Sequence, residues 1–300
     1  MNDFVFNSSP HEIERSLLQK AVRRGNTDVV EKVVRYLVSV GDSAWLKKRL
    51  YVLAYEECWP LAIGINPDHL IAEYVKITTA IKNKNAYGLG HLARSYNDGN
   101  FKLDSSLTAD QRTEIQDISH AINTPSKFWE LVEKDPKYQV NKFRIQEIRG
   151  ALPKATIEDD KDMIYAAAYF TLDGNLPVVQ SIEPAIISDF LYWTGVDRHT
   201  EVGKKILAKA AEKAGVEYYN GLRLSFYLEG AVCNQISDSP YWNILSKWQI
   251  ERMGMTDAQA LEYWEKMKPV IIDGTKGEVE KLLERLNKAD QPEKDQLTLF

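Results

Sequence analysis

Few residues are placed to do chemistry. The most polar knot is Asp197-Arg198-His199-Thr200-Glu201, whose alternate residues Asp197, His199 and Glu201 would converge as metal ligands in an extended segment. The same run also reads as the start of a helix, with Thr200 as N-cap and Glu201 in the first turn against the helix dipole, and we assign it that role. The five histidines, His11, His69, His91, His120 and His199, are scattered, and no two share the spacing at which a helix presents a metal pair. Cys58 and Cys233 have no adjacent His or Lys to stabilise a thiolate, so both read as inert thiols. The carboxylate pairs Glu56-Glu57 and Asp159-Asp160 are sequence neighbours; neighbours point apart on a helix, which makes them poor acid/base dyads.

Nucleotide hydrolysis lacks its loop. A phosphate loop needs Gly-x-x-x-x-Gly-Lys-(Ser/Thr), whose backbone amides and lysine cradle phosphates. The nearest approach runs from Gly195 to Gly203-Lys204-Lys205; it is too long, no strand precedes it, and Lys205 sits where a magnesium-binding hydroxyl belongs. The small basic clusters Arg23-Arg24, Lys47-Lys48-Arg49 and Lys204-Lys205 could touch phosphate, but solvated helix faces account for them better. The aromatic groups Tyr218-Tyr219, Tyr241-Trp242 and Trp248 could stack on bases, and core packing is the use expected of them. The sequence therefore leans away from an enzyme, and no catalytic residue, metal or cofactor is expected.

Composition agrees with a globular protein in which nothing is extreme. The chain has 300 residues, 44% hydrophobic and 27% charged, enough for one large domain or two smaller ones. The formal net charge is -5, so a DNA contact would have to be local or delivered by a partner. Two cysteines cannot build a disulfide framework, there is no signal-peptide pattern at 1–10, and no apolar stretch has the length of a membrane span. A cytoplasmic, nucleoid-associated protein is the expectation.

The elements that position these residues read as helices. Ser9-Pro10-His11-Glu12 fits a capping box, followed by Ile13, Leu17 and Ala21 in helical register and a stop at Gly25. A second helix from about Thr27 carries a broad stripe of Val29, Val30, Val33, Val34, Leu37 and Val38. Ser43 opens a third helix, with Trp45, Leu46, Leu50, Leu53 and Ala54. Asn66-Pro67-Asp68 opens a fourth, with Leu70, Ile71, Tyr74, Val75 and Ile81 inward. The Gly- and Asn-rich stretch 83–107 reads as loops around a short helix near 89–96. Helices follow at 108–122 and 125–134, and later at 184–193, 200–214, 222–233, 242–253, 256–268 and 276–288. Leu261, Trp264 and Met267 mark the inner face of the penultimate one, and Val178-Val179 reads as a short strand. The fold class expected is all-α, a helical bundle. It divides into a helical domain at 1–134, a charged connector at 135–160, a second helical region at 161–286 and a tail at 287–300.

The tail carries the strongest signal. After Leu286 the chain becomes polar and flexible in composition through 287–295, then ends in Gln296-Leu297-Thr298-Leu299-Phe300. An apolar tip on a polar linker is the form of a short linear binding motif. These five residues resemble the bacterial sliding-clamp-binding motif, a pentapeptide Gln-Leu-(Ser or Asp)-Leu-Phe. Gln296, Leu297, Leu299 and Phe300 match it, and Thr298 fills the tolerant middle position. The resemblance implies that Gln296 makes polar contacts in one subsite of a DNA polymerase III beta-type clamp, while Leu299 and Phe300 fill a hydrophobic pocket. Residues 16–25, Ser-Leu-Leu-Gln-Lys-Ala-Val-Arg-Arg-Gly, together with Lys48-Arg49-Leu50 and Glu56-Glu57-Cys58-Trp59, resemble the opening of the C-terminal domain of replication-associated recombination ATPases of the MgsA type. The likeness spans some eighty residues and departs at Glu57-Cys58-Trp59-Pro60, where that family has an acidic pair leading into Ile-Gly. It implies a clamp-loader-collar-like N-terminal half, without the ATPase domain, and self-association partly through 11–81. The valine stripe, broader than a four-helix layer needs, points to the same homo-oligomer.

Function is thus expected to be that of a replication or repair accessory protein recruited to the clamp. The alternatives are a DNA- or nucleotide-acting enzyme that borrows the clamp, with its site around 197–201 and the Tyr/Trp cluster of the second half, and an inhibitor that blocks the clamp. The missing phosphate loop gives a direct test: the purified protein should release no phosphate from ATP or GTP. Turnover that co-purifies with the chain and vanishes on mutating one of its residues would contradict this.

Overall fold

The computed structural model describes residues 11–174, 176–184 and 198–289. The fold is all-α, as the periodicity predicts. In chain order the helices are α1 (Glu12–Arg23), α2 (Thr27–Ser39), α3 (Ser43–Cys58), α4 (Leu70–Thr78), α5 (Asn85–Asn97), α6 (Ala109–Asn123) and α7 (Pro125–Lys134). They continue with α8 (Lys142–Ala151), α9 (Glu158–Thr171), α10 (Glu201–Ala214), α11 (Tyr218–Ser225), α12 (Pro240–Glu251) and α13 (Asp257–Ala289). Among the described residues, extended pairing is confined to three isolated bridges, and Val178 is solvent-exposed coil rather than strand.

The chain forms two compact units, and neither is continuous in sequence. Unit 1 comprises residues 1–43, 183–234 and 249–300; unit 2 comprises 44–182 and 235–248. The sequential division at 135–160 does not follow this boundary. That run instead holds a 3-10 turn (Pro136–Asn141), α8 and the start of α9, all within unit 2.

In unit 1, α1 and α2 form a hairpin. Gly25 takes φ 72°, and the Asn26 side chain caps α2 by accepting from the Val29 amide. The residue before α1 is His11, itself in the left-handed region, and it makes no side-chain cap; Ser9 and Pro10 lie outside the described residues. The valine stripe is spent inside the unit: Val29, Val30, Val33, Val34 and Leu37 are fully buried, with α13 packed on α2, and only Val38 is exposed. The apolar surplus from which self-association was expected is therefore covered within the chain.

The two helices expected at 256–268 and 276–288 are one. Ala260, Trp264, Met267, Ile271, Thr275, Val279, Leu282 and Leu286 run along α13 in unbroken steps of three and four, all buried. Pro269 falls on the exposed face, and the helix continues through it without the break that proline normally imposes. Leu261, expected inward, is outside this stripe and half exposed to solvent.

Unit 2 is organised around α9, whose residues 162–168 are all buried. A helix apolar on every side must be wrapped, and α5, α6 and α8 pack around it. Here the sequence reading falls short, because α5 spans 85–97 and is the helix most closely applied to α9. Its Gly88 and Gly90 lower helix propensity, yet each marks a close approach. A Cβ on Gly90 would stand 2.7 Å from the backbone of Asp162 and Met163, and one on Gly88 would stand 2.4 Å from that of Tyr241 and Trp242. One turn beyond Gly90, Arg94 grips buried Asp162 through two hydrogen bonds of 2.7 Å.

The loop 80–84 between α4 and α5 is extended and buried, and its peptide groups find partners on three sides. Ile81 N donates to Gln180 O (2.8 Å), Lys82 N to Gln235 O (3.1 Å) and Asn83 N to Glu57 O (2.8 Å); Ser237 N donates to Lys82 O (2.8 Å). The Lys82 ammonium, almost without solvent exposure, donates to the carbonyls of Ile77, Thr78 and Ala80 at 2.7–2.9 Å and so closes the C-terminal end of α4.

The glycines give a stability test with a sign. Gly90→Ala should lower the melting temperature by an amount corresponding to about 1–3 kcal/mol of overpacking. Gly150→Ala on α8, where a Cβ would meet nothing, should raise stability by about 0.4–1 kcal/mol. Thermal melts of the two variants check both; equal effects would show that α5 and α9 do not approach as described.

Candidate functional site

Gln296, Leu297, Thr298, Leu299 and Phe300 lie outside the described residues. So does Asp197, while the rest of its knot is a helix start. The Thr200 hydroxyl accepts from Gly203 N (2.9 Å), and Glu201 opens α10 and pairs with Lys204 at 3.1 Å. His199 receives a hydrogen bond from Arg198 (3.2 Å). Among the described residues no group of His, Cys, Asp and Glu could hold a metal ion, and no helix is long and apolar enough to cross a membrane.

The adjacent carboxylates do point apart. Glu56 faces Arg49 at 3.4 Å, whereas Glu57 makes a fully buried ion pair with Lys84 at 3.2 Å, whose ammonium lies 4.5 Å from the Trp242 ring centre. Asp160 turns back on the start of α9 and accepts from Ile157 N and the Thr156 hydroxyl, while Asp159 is exposed. Cys58 is buried with its thiol on the Ile81 carbonyl at 3.4 Å, and burial pushes that thiol up to about 11.

One basic cluster departs from expectation. Arg23 is buried and donates to the Gly230 carbonyl (2.9 Å), and Arg24 pairs with Glu229, so neither belongs to a solvated helix face. Both hold the π-turn Phe226–Gly230 that interrupts the helix expected at 222–233. Lys47, Lys48 and Lys205 are exposed, as read, whereas Arg49 and Lys204 are half-buried and paired with Glu56 and Glu201. Of the aromatics, Tyr241 is buried and Trp248 packs edge-on against Phe101 (5.1 Å), but Tyr219 is 65% exposed.

A cleft in unit 2 was not foreseen. It has a volume of about 450 Å³, within the range of small-ligand sites. α6 supplies Asp117, His120 and Ala121, with Thr124 just past its end; α7 supplies Lys127, Phe128 and Leu131; Tyr138 comes from the 3-10 turn, Tyr169 from α9 and Leu172 from just past its end. The Tyr169 hydroxyl donates to Asp117 at 3.1 Å, and burial together with that carboxylate raises its pKa well above the ordinary phenol range. One turn back on α6, Glu114 accepts from the Tyr241 hydroxyl; burial raises the Glu114 carboxyl, and burial with that carboxylate beside it raises Tyr241. The phenols therefore stay protonated as donors at neutral pH. An apolar floor, a carboxylate and a lysine at the rim suit binding, and no nucleophile stands against a base. The signal in sequence was the helical spacing of Asp117, His120 and Thr124; without the fold nothing brings Phe128 and Tyr138 opposite them.

The thiols separate burial from reactivity. With its thiol near 11, Cys58 should be about one-thousandth thiolate at pH 8, whereas Cys233 is half-buried. Mass spectrometry after a brief maleimide pulse should find Cys233 labelled and Cys58 labelled only in denaturant; prompt native labelling of Cys58 would contradict its placement. No protein-family model, curated protein or solved structure matches this chain.

Proposed function

We propose that this protein is a non-catalytic replication or repair accessory factor that docks on a bacterial-type DNA sliding clamp through Gln296-Leu297-Thr298-Leu299-Phe300. The observation that carries the reading is the pentapeptide itself, four of whose residues match the clamp-binding pattern in order. It follows a charged segment containing Pro292, beyond the end of α13. The helical fold is compatible with a collar-like body, although no family match supports that finer reading. Docking of this kind needs no catalytic group in the body: the Leu-Phe pair supplies affinity by burial, and Gln296 supplies orientation through polar contacts.

Leu299 and Phe300 are the expected anchors. Each large apolar side chain buried in a partner contributes roughly 1.5–3 kcal/mol, and about 1.4 kcal/mol is a factor of ten in affinity. Replacing both by Ala should weaken binding to purified clamp well over tenfold in surface plasmon resonance, with the melting temperature nearly unchanged. Undiminished clamp binding would end the proposal, and a large fall in melting temperature would show that the tail is part of the body.

A further inference from the structure

The cleft of unit 2 has walls whose chemistry selects a ligand. Three aromatic rings line it, each from a different element: Phe128 from α7, Tyr138 from the 3-10 turn and Tyr169 from α9. None of the three is in ring contact with another. Phe128 meets Trp129 and Tyr165, and Tyr169 meets Phe170, so their aromatic partners lie outside the lining. Tyr138 already has a cation beside it: the Lys137 ammonium lies 5.3 Å from its ring centre and pairs with Asp173 at 3.4 Å. The electron-rich faces of such rings attract cations, quaternary ammonium groups among them.

The charged groups around the cleft point the same way. Asp117 accepts a 3.1 Å hydrogen bond from the Tyr169 hydroxyl, a neutral donor, and has no ion-pair partner among the described residues. One turn back on α6, Glu114 likewise accepts from a phenol, that of Tyr241, and has no ion-pair partner among them. Lys127, the lysine of the lining, is exposed on the first turn of α7, where water and salt screen its charge. Apolar surface comes from Phe128, Leu172 and Leu131, the last 51% exposed. At about 450 Å³ the cleft is sized for one small molecule.

We propose that this cleft binds a small organic cation, an alkylated ammonium on an apolar body. The head sits at Asp117 among the rings of Tyr138 and Tyr169, and the body covers Phe128 and Leu131. An anion would meet ring faces and a carboxylate, and a neutral apolar ligand would leave Asp117 without a counter-charge. This does not rest on the clamp reading, because every residue it uses belongs to unit 2.

Isothermal titration of the full chain with three probes that share a phenyl ring tests it: benzyltrimethylammonium, benzyl alcohol and phenylacetate. Benzyltrimethylammonium should bind saturably, one per chain, at millimolar concentration or below, and the other two should bind at least about tenfold more weakly. Asp117→Asn should weaken the cation about tenfold by removing its counter-charge, and Lys127→Gln should tighten it about threefold by removing a like charge. Tyr138→Leu should cost about fivefold, whereas Tyr138→Phe, which keeps the ring, should bind within about twofold of the parent. If Tyr138→Leu loses its helical circular dichroism, Asp117→Asn, at an exposed position, must still show the loss. Absence of saturable binding by benzyltrimethylammonium would overturn the proposal, as would unchanged binding in folded Asp117→Asn. Equal binding of benzyl alcohol would reduce the cleft to an apolar site without charge selection. Tighter binding of phenylacetate, lost in Lys127→Gln, would overturn the proposal in favour of an anion.

Discussion

Unit 2 depends on satisfying a stretch of backbone that is neither helical nor wet. Residues 80–84 pass through the interior in extended form, and buried peptide groups without partners would each cost on the order of 1–3 kcal/mol. Partners come from Glu57 at the end of α3, from Gln180 and from the loop at 235–237. Segments far apart in sequence are thereby fixed together before any helix packing is counted. Two lysines in the same stretch extend the arrangement. Lys82 spends its ammonium on the carbonyls that end α4, and Lys84 spends its own on Glu57. A buried ion pair of this kind contributes little net stability over an apolar pair, but removing one partner is strongly unfavourable, so it acts to hold register.

The helices were legible wherever local chemistry and burial agree. Thr108 with Gln111 forms the capping box that starts α6, Pro125 opens α7, and Thr200 caps α10 as its position suggested. Reading failed where a tertiary requirement overrode a local one. Gly88 looks like a loop residue, and Gly90 like a weak point of a short helix, until a neighbouring backbone occupies the space a side chain would fill. Pro269 looks like a terminator until it turns out to sit on the wet side of α13. Arg23 and Arg24 look like surface charge until the π-turn gives them carbonyl and carboxylate partners. In each case the residue type was read by its usual cost, and the fold had placed it where that cost is small or is offset.

Sites divide in the same way. A linear motif such as Gln296–Phe300 carries its information in consecutive residues and can be recognised without a fold. The cleft between α6, α7 and the end of α9 assembles from segments separated by tens of residues. Asp117 is unremarkable in sequence, and only the neighbours delivered by the fold give it a chemical role. The knot at 198–201 is the converse case. It drew attention as a cluster of ligand-type residues, and the structure uses Thr200 and Glu201 for starting a helix.

The interleaving of the two units has a consequence for synthesis on the ribosome. Unit 2 opens with α3 but lacks the strip at 235–237 that matches its buried extended loop until most of the chain has been made. Unit 1 begins earlier, with the α1–α2 hairpin, yet α13, which packs on α2, begins only at Asp257. The hairpin therefore lacks this covering for its valines until the chain has been made past Asp257. Holding chaperones have their longest opportunity there, and a stalled or truncated chain would expose an adhesive valine surface rather than a finished domain.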